Sequence, residues 1–375
     1  MSVIRAFSDS HLSGDVIRLT AGDPDFNTPE YIVEAAKKAM VSGETHYTSA
    51  LGKLELREAI ATKLKRDNGF EADPKSEIAV TNGATGALSL SLLAILNEGD
   101  QVLVPDPGWP NYEPMIFAAG GTPIRYPLRK SDEFLPRPEE VESLAGDKCK
   151  AIIVNSPSNP AGSVFSRELL EQFIEIARKK RLFLLSDEVY EKIIYDNMRH
   201  VSIASLEGAD EVTLTINSFS KTYAMTGWRI GYVAGPKSVV GAVGALQSAI
   251  NTCPSSISQA ASLAALLGPQ SIVDDMVADY ARRRAKFIGD LREITGLWAP
   301  WPRGAFYALV DFSSISPSSS EMARRLITEA RVAAVPGAVF GEQAEGHVRF
   351  SFASSMRELE LAAKAIADML KKCKQ

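Results

Sequence analysis

Val212-Thr213-Leu214-Thr215-Ile216-Asn217-Ser218-Phe219-Ser220-Lys221 is an apolar, β-branched run that stops in small polar residues and a lysine. Gly227-Trp228-Arg229 comes soon after, and then a second short run, Ile230–Ala234. Such short apolar runs, closed by polar turns, read as strands buried on both faces. The same grammar recurs upstream at Glu77–Thr81, Gln101–Pro105, Thr122–Tyr126, Lys150–Asn155 and Leu182–Ser186. Helix-period segments such as Thr85–Leu96 and Arg167–Lys180 lie between them. This alternation predicts an α/β fold, a largely parallel sheet with helices on both faces. From about Asp279 the pattern changes to a basic helix (Tyr280–Thr295), a strand (Ala305–Asp311), a helix (Ser320–Ala330), a strand (His347–Ala353) and a last helix (Arg357–Lys371). That order suits a smaller α+β unit, with Ser313–Ser320 as a surface loop.

Composition narrows the class of function. The 375 residues are 45% hydrophobic and 23% charged, with a formal net charge of -5. Neither nucleic acid nor an acidic membrane surface is expected as a partner of such a chain. The apolar stretches are too short or too interrupted to span a bilayer, and Met1 to Asp15 has no secretory signal. Cys149, Cys253 and Cys373 are far apart, which argues against a disulfide framework or a zinc site and for a reducing, cytoplasmic setting. His11, His46, His200 and His347 are scattered without metal-ligand spacing, so no metal is expected. Arg282-Arg283-Arg284 reads as one face of a solvated helix.

In open parallel sheets, ligands sit beyond the carboxyl ends of the strands. Five of the strand candidates end in Gly/Pro-punctuated polar turns: Asn82–Gly86, Asp106–Tyr112, Asn155–Gly162, Ser186–Tyr190 and Asn217–Lys221. A helix beginning at Gly83-Ala84-Thr85 offers backbone N–H groups and a positive dipole end to a phosphate. Ser218 and the forked guanidinium of Arg229 complete the cup. Trp109 is a flat surface for an aromatic ring. Asp187 follows a buried strand and needs a cation there, for which a protonated pyridine nitrogen would serve. Lys221, partly buried and close to Arg229, has the setting of an amine nucleophile toward carbonyls. Each residue alone has an ordinary reading: Trp109 as packing, Asp187 as a helix cap, Asn159-Pro160 as a turn. Their arrival at one sheet edge does not.

With these residues in place, the chain resembles the class I aminotransferases, fold-type I pyridoxal phosphate enzymes of the aspartate aminotransferase-like kind. The resemblance runs from Gly22-Asp23-Pro24-Asp25-Phe26 to Arg349-Phe350-Ser351-Phe352-Ala353 and is densest at Ser218–Gly231, Asn159–Gly162 and Asp187-Glu188-Val189-Tyr190. It implies pyridoxal 5′-phosphate as cofactor, Lys221 as the Schiff-base lysine and acid/base, and Asp187 as partner of the pyridine nitrogen. It implies Tyr190 and Asn159 as donors to the phenolic oxygen, Trp109 as the stacking ring, and Ala84, Thr85, Ser218 and Arg229 as the phosphate group. Arg349 resembles the arginine that grips the substrate α-carboxylate, with Gly22 beside it. Tyr47 resembles the tyrosine that reaches the phosphate of the other subunit, implying a homodimer with shared sites. The implied division is a large domain over 41–280, with a mostly parallel seven-stranded sheet, and a small α+β domain from 1–40 and 281–375. The arm ahead of Gly22 is short for the family.

The implied function is transfer of an amino group between an L-amino acid and a 2-oxo acid by a ping-pong mechanism; a β-lyase or other non-transaminating member of the fold is the alternative. A nicotinamide-dependent dehydrogenase built on Gly83–Gly86 would lack the three-glycine spacing and leave Lys221 unexplained. A transcription regulator would need a DNA-binding domain, and about twenty residues precede the Gly22 motif. Asn251–Ser256, which precedes a large-domain helix, carries no arginine or lysine to meet a second carboxylate. Tyr112 and Thr252 are expected to line the side-chain end of the pocket.

Overall fold

In a computed structural model of the chain, residues 15–372 are described. His11, Cys373 and most of the arm ahead of Gly22 lie outside them. Seven strands form the main sheet: β1 (Ile78–Thr81), β2 (Gln101–Asp106), β3 (Thr122–Pro127), β4 (Cys149–Asn155), β5 (Phe183–Asp187), β6 (Thr213–Ser218) and β7 (Gly231–Ala234). Their order is β1-β7-β6-β5-β4-β2-β3. All adjacent pairs are parallel except those made by β7, which is antiparallel to both β1 and β6. The α/β expectation therefore holds with one reversed strand. A dozen residues join β6 to β7, and reversal needs no crossover helix.

Helices cover both faces. Gly83–Ile95 (α2; Leu54–Lys63 is α1) packs on one side through Ala87, Leu88 and Leu92, all fully buried. Arg167–Lys180 (α3) packs on the other through Leu170, Phe173 and Ala177. Ser166 caps α3 by accepting from Leu169 N at 3.3 Å, which places the helix start as the sequence predicts.

Beyond the large sheet, a helix (α4) runs over Ser271–Arg292, starting nine residues ahead of the sequence expectation of Tyr280. Val273 and Met276 continue the apolar stripe of Tyr280 and Phe287 back toward the N-terminus, so the helix has no physical reason to start later. Arg283 and Arg284, expected on a solvated face, are buried and paired with Asp25 and Asp196. The smaller unit has a three-stranded antiparallel sheet, in which β8 (Tyr307–Asp311) and β9 (Val335–Pro336) flank the central β10 (His347–Ser351). Helices Ser319–Ala330 (α5) and Met356–Lys372 (α6) pack nearby. The loop expected over Ser313–Ser320 ends two residues early. Ser319 is fully buried in the first turn of α5, and its Oγ accepts from Ala338 N at 3.1 Å.

The N-terminal segment joins the smaller unit. Leu19 N donates to Ala333 O at 2.8 Å and Ser351 N to Leu19 O at 2.9 Å. This lays residues 17–22 beside β10 and carries Gly22 to the carboxyl edge of the large sheet. Among the described residues no helix is long and apolar enough to cross a membrane.

Candidate active site

A cavity of about 290 Å³ opens where the carboxyl ends of β4, β5 and β6 meet the start of α2 and the N-terminal segment. Gly22, Ala84, Thr85, Trp109, Asn159, Asp187, Tyr190, Ser218, Lys221, Arg229 and Arg349 all line it. Of the residues given a role in the pocket from the sequence, Tyr47 and Thr252 are not among those lining it. Tyr47 stands outside the cavity, 85% exposed.

The phosphate end is built from backbone. Asn82, at the head of α2, makes no side-chain bond to the helix, so the first amides, including those of Ala84 and Thr85, are left for a ligand. Gly83 has φ +74°, and a Cβ there would lie 2.6 Å from Arg229 Nη2. The missing side chain lets the guanidinium lie over the helix start, where Arg229 Nη1 donates to Thr226 O at 2.9 Å. Gly231 serves the same approach: a Cβ would meet Ala84 N at 2.8 Å. Ser218 Oγ accepts from Ser220 N at 2.9 Å and so fixes the turn that presents Lys221.

Asp187 lies at the opposite end, buried at the tip of β5. Tyr112 OH donates to its Oδ2 at 2.6 Å, while Oδ1 has only a long contact of 3.5 Å from Val189 N. Burial pushes the carboxyl up to about 6, against the pull of the Tyr112 hydrogen bond. One oxygen is thus held and the other left toward the cavity, an arrangement that a ring cation would satisfy. Tyr112 lines the cavity as expected, and the sequence did not foretell its partner: it is buried, its hydroxyl is taken up by Asp187, and its ring stands edge-on to Trp109 at 5.3 Å. Thr252, expected beside it, is exposed and outside the cavity.

Lys221 Nζ donates to Gly22 O. Burial lowers its pKa to about 8, with Arg229 and Arg349 adding to the fall and Asp23 and Asp187 opposing it. Gly22 is tightly placed, since a Cβ would come within 2.0 Å of Tyr307 OH. Tyr307 OH in turn shares a 2.8 Å hydrogen bond with Tyr190 OH.

Arg349, 1% exposed, is clamped between the rings of Tyr307 and Phe340, with its guanidinium carbon 4.4 and 4.8 Å from their centroids. Nη1 donates to Asn159 Oδ1 at 2.9 Å and Nη2 to Thr20 O. Nε is buried and has no hydrogen-bond partner among the described residues. A guanidinium with a spare buried donor, facing a cavity, is a site for an anion. The contact also orients Asn159: with Oδ1 turned to Arg349, its Nδ2 is free to donate elsewhere. Asn155, which the sequence reading quoted only as part of a turn, ties two strand ends together by accepting from Asn159 N at 2.9 Å and donating to Asp187 O at 3.0 Å.

One expectation about histidine changes. His200 Nε2 lies 2.8 Å from Glu188 Oε2, and its ring nitrogens and the carboxylates of Glu188 and Glu191 come within 4.8 Å of one another. Lys63 already supplies a cation there, bonded to Glu191. Lys63 stands 128 residues from Glu191, and no spacing signal in the sequence joins the two.

Comparison with known proteins agrees with this geometry. The family model for aminotransferase class I and II matches residues 14–366. An aspartate aminotransferase of Pyrococcus abyssi is 43% identical over 96% of this chain and 93% of its own length. Aromatic-amino-acid aminotransferase 2 of Thermococcus litoralis is 41% identical over 96% and 92%. The aspartate aminotransferase of Thermus thermophilus solved with maleate superposes with a TM-score of 0.93 at 40% identity, covering 98% of this chain and 97% of that one.

Proposed function

The chain belongs to the class I and II aminotransferases, and from that premise we propose that the cavity around Lys221 binds pyridoxal 5′-phosphate and transfers amino groups there. The enzyme is an aspartate aminotransferase-like transaminase. Bound in the cavity, the cofactor supplies an electron sink for the carbanion formed at substrate Cα. The chain's residues do the rest. The amides of Ala84 and Thr85, with Ser218 and Arg229, hold the phosphate. Trp109 covers one ring face. Asp187, fixed by Tyr112, keeps its free oxygen toward the ring nitrogen and favours the protonated form. Tyr190 and Asn159 donate to the phenolic oxygen. Lys221 Nζ carries the proton to and from substrate Cα, and its lowered pKa makes both directions cheap near neutral pH. Arg349 fixes the α-carboxylate beside Gly22, so that every substrate presents Cα at the same place.

The observation that carries this reading is that the buried guanidinium of Arg349, Lys221 and the phosphate cup of Ala84, Thr85, Ser218 and Arg229 line one cavity. Arg349→Lys keeps the charge and loses the fork. Charged hydrogen bonds are worth roughly 1.5–3 kcal/mol each, so kcat/KM is expected to fall at least about tenfold for L-aspartate, L-phenylalanine, 2-oxoglutarate and oxaloacetate alike. Single-turnover half-reactions with each substrate provide the measurement. A loss confined to one side-chain class would move Arg349 to the side-chain pocket.

Substrate choice is read as broad. Of the cavity's cations, Lys221, Arg229 and Arg349 each have an assignment above, and the names of the relatives span aspartate and aromatic amino acids. The working unit is a homodimer with shared sites, divided into a large domain over 41–280 and a small one from 1–40 and 281–375. A cytoplasmic setting is read from the three well-spaced cysteines. The dimer is supported by the exposed ring of Tyr47, whose segment is pinned from behind. Thr48 N donates to Cys253 Sγ at 3.3 Å and Ser256 Oγ to Glu44 O at 2.7 Å. Tyr47→Phe weakened in cofactor retention, mixed with inactive Lys221→Ala, should regain activity in verified hybrid dimers, because one site then carries both intact residues. Hybrids no more active than their parents would rule out a shared site.

A further inference from the structure

Behind the active-site turn lies a second layer of buried polar side chains that the transfer chemistry does not touch. Residues 187–191 serve two sides. Asp187 and Tyr190 line the cavity, whereas Glu188 and Glu191 lie away from it and are 1% and 7% exposed. Glu188 Oε1 accepts from Ser186 Oγ at 2.7 Å and Ser202 Oγ at 3.0 Å. Its Oε2 meets His200 Nε2 at 2.8 Å and Asn68 Nδ2 at 3.4 Å. Asn68 Nδ2 also donates to Glu191 Oε2 at 2.6 Å, and its Oδ1 accepts from Lys63 Nζ at 2.7 Å. Lys63 Nζ completes the chain to Glu191 and reaches Tyr232 OH at 3.4 Å. Burial alone would raise the Glu191 carboxyl, but Lys63 and His200 outweigh it and hold it below its ordinary value.

The network joins α1, the turn after it, the tip of β5, the loop carrying His200 and Ser202, and β7. Buried charges of this kind add little net stability, yet removing one partner is costly because the rest are left unpaired. What they supply is a fixed geometry. Between residues 187 and 191 the backbone is anchored at its strand end, where Glu188 N donates to Ile216 O at 2.9 Å and Asn155 Nδ2 to Asp187 O at 3.0 Å. Beyond that it is held mainly within the turn, by Glu191 N to Glu188 O at 2.9 Å and Ile193 N to Tyr190 O at 2.8 Å.

We propose that Glu188, held by His200 and Asn68, is a positioning residue for the transamination, fixing the turn that aims Asp187 and Tyr190 into the cavity. This rests on the reading of Asp187 and Tyr190 given above. A carboxylate only accepts, so Glu188→Gln keeps the shape of the side chain but removes its charge and forces one side of the network to reverse, either the Ser186 and Ser202 hydroxyls or the His200 ring turning from donor to acceptor. His200, at the rim with a side chain 9% exposed, can be changed with less risk to folding.

The experiment uses the cofactor-loaded protein with Glu188→Gln, His200→Gln and the double variant. Misplacement of a reacting group by about 1 Å costs up to about 10²-fold, so kcat should fall about tenfold or more. KM should stay within about twofold, since Arg349 lies outside the network. Amide hydrogen exchange, measured with and without cofactor, should rise in peptides covering 187–202 and not in those covering β8 to β10. The double variant should be no slower than the worse single, because the pair acts as one unit. Additive losses, a rise in exchange spread over the small sheet, or unchanged kcat and exchange in His200→Gln would each overturn the proposal. Asp187→Asn separates the two readings. If it is crippled while the network variants are not, only the network proposal fails. If it is unimpaired, the reading of Asp187 fails, and exchange in the cofactor-free chain still decides whether the network holds the turn.

Discussion

Lys221→Ala should lose turnover by at least about 10⁴-fold, the upper range for a positioned acid–base group, while the chain still retains cofactor. The retention follows from geometry. The α2 amides, Ser218, Arg229, Trp109 and Asp187 are untouched by the change and hold the ligand from both ends. The loss follows from position, because Lys221 is the lysine that lines the cavity together with Arg349 and Asp187. In the wild type, borohydride reduction should fix the label on the peptide that contains Lys221. A label on any other lysine, or an alanine variant near wild-type activity, would remove Lys221 from the mechanism. The pH dependence has a definite sign. A pKa lowered to about 8 means that the reactive neutral amine appears as pH rises through that value. An ordinary lysine would require about pH 10.4. At pH 7 roughly a tenth of the amine is neutral, against well under a thousandth at the ordinary pKa. The rate at which cofactor-free protein condenses with an aldehyde should therefore climb through pH 8 and level off above it.

Asp187→Asn should slow the chemical step by about 10²–10³-fold, the scale of losing one preorganised electrostatic partner, with modest loss of cofactor affinity. Asparagine is isosteric and still accepts from Tyr112, so the 2.6 Å contact can persist and the cavity keep its shape. What disappears is the negative charge. Without it a bound ring nitrogen has no reason to stay protonated, and the carbanion at Cα loses its sink. Exchange of the substrate's Cα hydrogen with deuterated solvent in a single turnover isolates this step. An unchanged exchange rate would show that Asp187 has another role. The carboxyl's own raised value of about 6 belongs to the cavity without a cation facing it. A ring cation opposite Oδ1 should bring it down, so activity should not show an acid limb near pH 6 from this group.

Much of this site was legible because strand ends announce themselves. A run such as Thr213–Ser218 closes in polar residues at the carboxyl edge, and five such closures define one crevice before any coordinates exist. Lys221, Asp187 and Asn159 sit in these turns, and Arg229 follows the last of them. Pairings across long stretches of chain were less accessible. Tyr112 follows Trp109 in a turn that the sequence marks as important, yet nothing in it says that the hydroxyl meets Asp187, 75 residues away. Tyr307 lies on a strand of the smaller unit, and only the folded chain brings it against Gly22 and Arg349. Apolar runs do not encode direction either, so the reversal of β7 had to come from the short link that precedes it. The layer that joins Glu188, Glu191 and His200 to Lys63, Asn68 and Tyr232 depends on distant segments meeting, and no periodicity records that.

The two-sidedness of residues 187–191 also bears on how this gene can vary. Along a strand, neighbouring side chains point to opposite faces, and here one face holds the chemistry and the other a closed set of buried charges. A substitution at Leu184 or Leu185 alters packing at one point. A single codon lost or gained within β5 would instead turn the tip over, sending a carboxylate meant for the cavity into the rear layer and Glu188 toward the ligand. The length of this strand should therefore tolerate change less than its composition does, and in-frame insertions and deletions should be better borne in exposed links such as Gly146–Lys148 than here.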